Sequence, residues 1–403
     1  MISVRSSKLA TYGVALYIFS TVFSRYNLIA SFSLSDIIFV ALLIFTCVHV
    51  LIRNKIEKKI IILGWASVIL IVLMSASINA QPTVYNVNTT KILSKCLFSV
   101  IILAYWIDSK SKVRVISYSI LISGVVSLIG AFLQSYAMPQ SDIFIDRFRK
   151  SHQNRLKMLG LNLPFVRSTG FAGAFGSYGL FVLGSYYVLL SKYIFSRKRR
   201  IKSGIYLIFS ILILLAGLLF SQSRSTFLAA LVSTVIHILL NLAKNINGKK
   251  LLLIIGLLFI VLLSSYYIYE VLYSIGGIGF ERRIYQYKIA IKNLQLAPWL
   301  GIGFVDVENI LGTSRVIHSS WLSVLTQGGV FSFLIYLSVL LYTLVHISSG
   351  LFRGNRHIIS ALLVSAFVAL MIQISTYNGT FVVTNYIYVG VLFSVSRVFE
   401  KDG

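Results

Sequence analysis

The sequence predicts an all-α integral membrane protein with about twelve transmembrane helices and an amphipathic helix on its outer face. Three observations indicate this class. Hydrophobic residues make up 57% of the 403 residues, the mean hydropathy is +0.85, and basic residues concentrate in every second loop. Soluble domains contain fewer apolar residues and more charged ones. The chain is therefore expected to form one polytopic membrane domain over residues 1–403.

Apolar runs of about 20 residues are long enough to cross a hydrocarbon core of about 30 Å as helices. The runs cover residues 9–25, 34–52, 60–80, 92–107, 113–137, 169–194, 204–222, 225–242, 251–269, 318–347, 358–377 and 381–397. The first follows Arg5 and Lys8 as in a signal peptide, but no A-x-A cleavage site comes after it. It is therefore expected to stay as an uncleaved span.

Charge in the connecting segments alternates along the chain. Every second loop is basic, namely RNKIEKK (53–59), DSKSKVR (108–114), SRKRRIK (196–202), KNINGKK (244–250) and FRGNRH (352–357). Basic loops stay on the cytoplasmic side of the membrane. Both termini are then cytoplasmic as well, which agrees with an even number of spans.

The net charge of +26 comes from 37 Lys and Arg against 11 Asp and Glu. In a soluble chain this would suggest nucleic acid, whereas in a membrane protein it suggests loop orientation, anionic lipid or a phosphorylated substrate. The predicted topology leaves 15 basic residues outside, 11 of them in two long outer segments, 138–168 and 270–317. They indicate an anionic ligand, although long loops also escape the orientation rule.

Arg224 lies between two apolar runs in the stretch LLFSQSRSTFLAAL (218–231). The basic loops on either side are cytoplasmic, so this short connection is expected to be an outer hairpin. An arginine at a span end can be a snorkelling anchor or can line a polar cavity. The cavity is favoured by the polar neighbours Ser221, Gln222, Ser223, Ser225 and Thr226.

An amphipathic pattern follows in the second long outer segment, GIGFERRIYQYKIAIKNLQLAPWLGIGF (277–304). Its apolar positions Ile284, Tyr287, Ile291 and Leu294 recur at steps of three and four, which predicts a helix in the membrane plane. Such a helix can also be a charged interfacial element without chemistry. The Pro and Gly residues of APWLGIG (297–303) are expected to end it.

Titratable groups on the outer side are few. Of six histidines, the topology places His152 and His318 outside, and His318 at the mouth of a span suits a general base near neutral pH. A lone interfacial histidine without a catalytic role is the alternative. Asp306 and Glu308 form a weak signal for a divalent metal. Both cysteines lie in apolar runs, which argues against a disulfide framework or a thiolate zinc site.

These motifs, in this order, resemble the bacterial O-antigen ligase and polymerase family over roughly residues 165–345. Four positions depart from the family pattern: Phe175-Gly176 replaces Pro-Asn, Ser319 replaces Asn and Gln327 replaces Glu. The likeness is carried by Arg167 and Gly170, by Ser223 and Arg224, by Arg283, Tyr287 and Ala290 with the following Pro298, Gly301 and Gly303, and by His318, Trp321, Leu322 and Gly329.

The resemblance implies a fold similar to that of C-type glycosyltransferases, in the bacterial plasma membrane, with the active site on the outer face. It implies an undecaprenyl diphosphate-linked oligosaccharide as donor and a glycan as acceptor, within the lipid bilayer, with no nucleic acid, metal or other cofactor. Arg224 and Arg283, supported by Arg167 or Arg282, would bind the diphosphate, and His318 would accept the acceptor's proton.

Two aromatic residues, Tyr287 and Trp321, are expected to contact the substrate by stacking on sugar rings. Interfacial belts enrich the same residue types. Three functions stay open: a polysaccharide or O-antigen polymerase, a ligase that joins glycan to a lipid core, and a carrier of lipid-linked saccharide that catalyses no transfer.

Overall fold

A computed structural model of the chain describes residues 2–23, 27–29, 32–53, 87–137, 171, 175–196, 200–221, 223–243, 285–292, 294–302, 319–351, 357–376 and 383–401. Within these ranges the chain is almost entirely helical, as predicted. The β structure found there is one short antiparallel pair, Asn27–Ile29 with Phe32–Ser33. This pair connects the first two long helices.

Ten long helices lie in the described ranges. They are α1 (Ile2–Ser20), α2 (Leu34–Arg53), α3 (Val87–Trp106), α4 (Lys110–Phe132), α5 (Phe175–Phe195), α6 (Arg200–Ser221), α7 (Arg224–Ala243), α8 (Ser320–Ser348), α9 (His357–Thr376) and α10 (Val383–Lys401). A 3₁₀ turn, Thr21–Phe23, follows α1, and a π-helical turn, Leu133–Ala137, extends α4. Each long helix overlaps one predicted span, and the predicted spans 60–80 and 251–269 lie outside the described residues.

Six described helices, α4 to α9, are long and apolar enough to cross a membrane by length and composition. A shorter apolar helix, Leu34–His49, lies within α2. These helices are consistent with the predicted multi-pass membrane protein. The number of twelve spans stays a prediction.

Helix packing brings distant parts of the chain together. The neighbours are α5 with α4 and α6, α7 with α9, α3 with α10, and α1 with α4. Small residues permit neighbouring helices to approach closely. In lipid no hydrophobic force drives helices together, so van der Waals contact at short range must stabilise their packing. A Cβ at Gly124 of α4 would lie 2.7 Å from the carbonyl oxygen of Phe181 in α5.

A buried ion pair joins α2 to α3. Lys95 Nζ lies 2.8 Å from Asp36 Oδ1 and donates to Ser35 Oγ at 2.7 Å. The other carboxylate oxygen, Asp36 Oδ2, accepts hydrogen bonds from the amide and the hydroxyl of Ser33. The predicted topology places Lys95 among the four outer basic residues that lie apart from the two long outer segments. The structure shows that its charge is matched within the protein.

The predicted span 318–347 is not a single straight helix. The ring centroids of Trp321 and Tyr336 are 5.4 Å apart, whereas residues 15 positions apart in a straight helix are separated by about 22 Å. The chain bends at Gly329, which has φ 65° and ψ −170°. We call residues 320–328 the outer half of α8 and residues 330–348 its inner half.

A helix is present over residues 285–292, within the predicted amphipathic segment. Gln286 and Ala290 are buried, whereas Tyr287 is partly exposed and Ile291 is 53% exposed. Apolar periodicity identifies the apolar face of a helix. In a membrane protein that face can lie towards lipid, so the pattern does not show which face packs against protein.

Candidate functional site

The break in α8 is occupied by the segment that follows the amphipathic helix. Backbone hydrogen bonds join the two: Ile302 N donates to Thr326 O at 2.9 Å, and Val330 N donates to Pro298 O at 2.9 Å. Phe331 N donates more weakly to Trp299 O at 3.3 Å. The bonds satisfy a carbonyl at the end of the outer half and amides at the start of the inner half, groups that a helix end leaves unpaired. We call residues 297–302 the docking segment.

Two glycines make this contact sterically feasible. Gly301 has φ 71° and Gly329 has φ 65°, a conformation that side chains other than glycine rarely adopt. A Cβ at Gly301 would lie 2.5 Å from the carbonyl group of Gln327, and a Cβ at Gly329 would lie 2.3 Å from Trp299 O. Non-helical backbone at membrane depth is tolerated where protein covers it. The docking segment supplies that cover.

Uncharged polar side chains surround the break. Thr326, Gln327 and Ser332 are buried, with 1%, 7% and 0% exposure. Thr326 Oγ1, Gln327 Oε1 and Ser332 Oγ have no hydrogen-bond partner within the described part of the chain. Buried polar atoms are normally paired, so each unpaired one calls for a partner.

Trp321 joins the outer half of α8 to α9. Its indole Nε1 donates to Ser375 Oγ at 2.6 Å, and its ring contacts those of Phe333 and Tyr336 edge-on. The indole is partly exposed. Trp321 therefore holds the outer half of α8 against the last turn of α9 while part of its surface stays accessible.

Arg224 is the first residue of α7. Ser223 precedes it and caps the helix: its carbonyl accepts from Phe227 N at 3.0 Å, and Thr226 N lies 3.5 Å from Ser223 Oγ. Thr226 Oγ1 accepts from Gln373 Nε2 of α9 at 2.9 Å. The structure describes the backbone of Arg224 and not its side chain.

The last turn of α9 contacts both the start of α7 and the outer half of α8. Thr226 bonds to Gln373 and Trp321 bonds to Ser375, two residues further along the same helix. Residues two apart on a helix differ by about 200° in direction and about 3 Å in height. The start of α7 and the outer half of α8 thus lie at the same level, on different sides of α9.

Residues 208–337 match the family model of the O-antigen ligase. The match supports assignment to the O-antigen ligase and polymerase family. It confirms the resemblance predicted from the motifs. No curated protein matches the chain with significance. The O-antigen ligase match extends from α6 into the inner half of α8, so Arg224, the docking segment and the break at Gly329 all lie within it.

The structure describes only part of the predicted site. Arg167, Arg282, Arg283 and His318 lie outside the described residues, and so do Asp306 and Glu308. Of the others, Arg224 begins α7, Trp321 lies in the outer half of α8, and Tyr287 lies partly exposed in the helix at 285–292. The roles of all seven predicted site residues stay predictions.

Sequence reasoning missed several polar residues of this region. Gln373 and Ser375 of α9 bond to the two predicted motifs, yet both lie near the end of an apolar run and belong to no motif. A signal for the break was available in the pair Gly328-Gly329, preceded by the polar residues Thr326 and Gln327. Two adjacent glycines in a predicted helix indicate an interruption.

Proposed function

We propose that the protein is a glycosyltransferase that polymerises undecaprenyl diphosphate-linked oligosaccharide repeat units at the outer face of the bacterial plasma membrane. The O-antigen ligase match supports ligation or polymerisation of lipid-linked glycans in general. The finer statement, transfer to a growing polysaccharide rather than to a lipid core, is part of this proposal and is tested by the identity of the acceptor. The fold is proposed to be similar to that of C-type glycosyltransferases.

The observation that carries this proposal is the break in α8. The matched segment contains an interrupted helix whose gap is bridged by backbone and surrounded by buried hydroxyl and amide groups. Val330 and Phe331, at the start of the inner half, already donate their amides to the docking segment. The uncharged side chains near the break suit sugar hydroxyls, which leaves the diphosphate to the arginines.

In the proposed reaction a hydroxyl oxygen of the acceptor attacks the anomeric carbon of the donor. The bond from that carbon to the diphosphate oxygen breaks, and undecaprenyl diphosphate leaves with the electron pair. His318 accepts the proton of the hydroxyl. Arg224 and Arg283 stabilise the charge on the leaving diphosphate through paired, permanently charged donors, supported by Arg167 or Arg282.

Sugar contacts are assigned to the aromatic residues. Trp321 is held by Ser375 and offers its partly exposed ring, and Tyr287 is partly exposed on the amphipathic helix. Aromatic rings stack on the apolar faces of sugars while their polar atoms bond elsewhere.

The deciding experiment substitutes His318. Purified protein is incubated with lipid-linked repeat units and scored for longer glycans and released undecaprenyl diphosphate. His318→Ala should lose about 10² to 10⁴ in rate while donor binding changes little, since arginines hold the diphosphate. Because histidine must be neutral to accept a proton, wild-type activity should rise with pH if His318 is the base.

Two controls sharpen this experiment. His152→Ala, on the other long outer segment, should retain activity because no motif of the family includes it. EDTA should have no effect, since no metal is proposed. Full activity of His318→Ala would remove the base from the mechanism, and inhibition by EDTA would return Asp306 and Glu308 to consideration.

Two alternatives are separated by the same assay. A ligase would transfer the glycan to a lipid core and would not lengthen it. A carrier is favoured by one structural observation, the interrupted helix, because transporters build their sites from such helices. Movement of donor across a bilayer without formation of a glycosidic bond would establish the carrier.

A further inference from the structure

A second charged site lies at the opposite end of α6 from Arg224. Lys192 of α5 points its ammonium at two aromatic rings, 3.8 Å from the ring centre of Tyr118 in α4 and 5.9 Å from that of Tyr206 in α6. Three helices thus converge on one cation. Because α5 packs against both α4 and α6, and these two contact each other, the arrangement is a corner of the helix bundle.

Two further cations flank this corner. Arg114 lies four residues before Tyr118, and Lys202 lies four residues before Tyr206. Residues four apart on a helix share a face at about 6 Å, so both cations are one turn closer to the helix ends than the rings. Both are exposed. None of the three cations forms an ion pair within the described part of the chain.

On α4 and on α6, an apolar residue follows the cation and the aromatic ring along the same helix. On α4 the order is Arg114, Tyr118 and Ile122, and on α6 it is Lys202, Tyr206 and Phe209. Ile122 is 51% exposed and Phe209 is 54% exposed. The order of cation, aromatic ring and apolar side chain matches the order of phosphate, glycerol region and acyl chain in a phospholipid.

We propose that this corner, formed by Arg114, Lys192 and Lys202 over Tyr118 and Tyr206, binds the headgroup of an anionic phospholipid. The rings hold the Lys192 ammonium in place by cation–π attraction and leave its N–H donors for phosphate oxygens. Arg114 and Lys202 add charge on both sides, and three cations suit a lipid with two phosphates. Lys202 and Ser221 span nearly the whole of α6, about 29 Å. The lipid therefore belongs to the leaflet opposite the proposed glycan site.

The test measures lipid binding to the purified full chain in neutral detergent by native mass spectrometry. The probes are diphosphatidylglycerol, phosphatidylglycerol and phosphatidylcholine. Wild type should prefer the anionic lipids, with the two-phosphate lipid tightest. The double variant Arg114→Gln/Lys202→Gln should lose about fivefold in affinity per removed charge, hence about 25-fold in total, and should leave phosphatidylcholine unaffected. Both positions are exposed, so the variant should stay folded and monodisperse.

The matched control is Lys112→Gln. Lys112 lies in the same turn of α4 as Arg114 but pairs with Asp108 at 2.8 Å, so its loss should change lipid affinity by less than twofold. An equal loss per charge for the control would show general electrostatic attraction and overturn the site. Equal binding of anionic and zwitterionic lipid by wild type, or displacement of the lipid by millimolar inorganic phosphate, would overturn it too. The readout does not depend on glycan transfer.

Discussion

Serine residues with hydrogen-bonded hydroxyl groups precede and follow Arg224 in the chain. Ser221 and Ser223 are buried, and Ser223 Oγ bonds to Ser225 Oγ at 2.9 Å. Ser221 Oγ accepts from the amide of Ser223 at 3.2 Å. These hydroxyl groups therefore form hydrogen bonds among the serines on either side of Arg224. The polar-cavity role of Arg224 stays a prediction, and the buried serines beside it are the observation that motivates it.

The first prediction concerns this arginine. Arg224→Lys should express and insert normally yet lose about 10² to 10³ in transfer rate, because an ammonium supplies the charge without the planar pair of donors. The measurement is glycan transfer by the purified variant. Arg53→Lys, at the end of α2, is the matched control and should keep full activity. A fully active Arg224→Lys would restore the anchor interpretation.

At the scale of the element, α8 shows what sequence patterns capture and what they omit. Its ends were predicted to within two residues, because hydropathy reports the length of an apolar run. The break at Gly329 was not predicted, since the carbonyl and amide groups that stabilise it belong to the docking segment, about 30 residues earlier. The sequence does mark both contact points with glycine. Their pairing requires three-dimensional information.

The second prediction tests the break. Gly329→Ala and Gly301→Ala each place a Cβ within 2.5 Å of backbone atoms, in a conformation that costs about 1 to 3 kcal/mol without glycine. Each should lower the thermal unfolding temperature in detergent and lose activity. Gly204→Ala in α6 is the control, because its Cβ would meet no atom within 4 Å. Wild-type stability of both docking variants would show that the contact is dispensable.

The third prediction concerns the ion pair between α2 and α3. Lys95→Met leaves a buried carboxylate without its cation and should destabilise the protein by about 3 to 5 kcal/mol. Asp36→Asn/Lys95→Met removes both charges and keeps an acceptor for Ser33, so it should recover most of that loss. Thermal unfolding of the single and double variants measures the coupling.

The pair of Lys112 with the half-exposed carboxylate of Asp108, four residues apart in sequence, is the reference for that measurement. Lys112→Met should cost at most about 1 kcal/mol, since an ion pair with a solvent-exposed partner contributes little. If Lys95→Met costs no more than Lys112→Met, the buried pair contributes nothing beyond a surface pair.

For the whole molecule, alternating loop charge and hydropathy sufficed to predict the class and most helices. Every described long helix overlaps a predicted span, because each span must bury its backbone polar groups within itself and be apolar over a fixed length. Which helices contact one another could not be predicted from these patterns. The contact of α3 with α10 joins residues nearly 300 positions apart, as in the bond from Ser394 Oγ to Leu103 O. Such contacts depend on shape rather than on periodicity.

The last prediction tests the orientation of the whole chain. In a variant without Cys47 and Cys96, single cysteines at Gln140 and Thr313 should react in intact spheroplasts with a membrane-impermeant thiol reagent. Cysteines at Ser111, exposed at the start of α4, and at Asn247 should react only after permeabilisation, since the positive-inside rule places their basic loops in the cytoplasm. The reverse labelling would move Arg224 and His318 to the cytoplasmic side. An outer site for glycan transfer would then be wrong, whereas the phospholipid corner at Lys192 would stay at the opposite face.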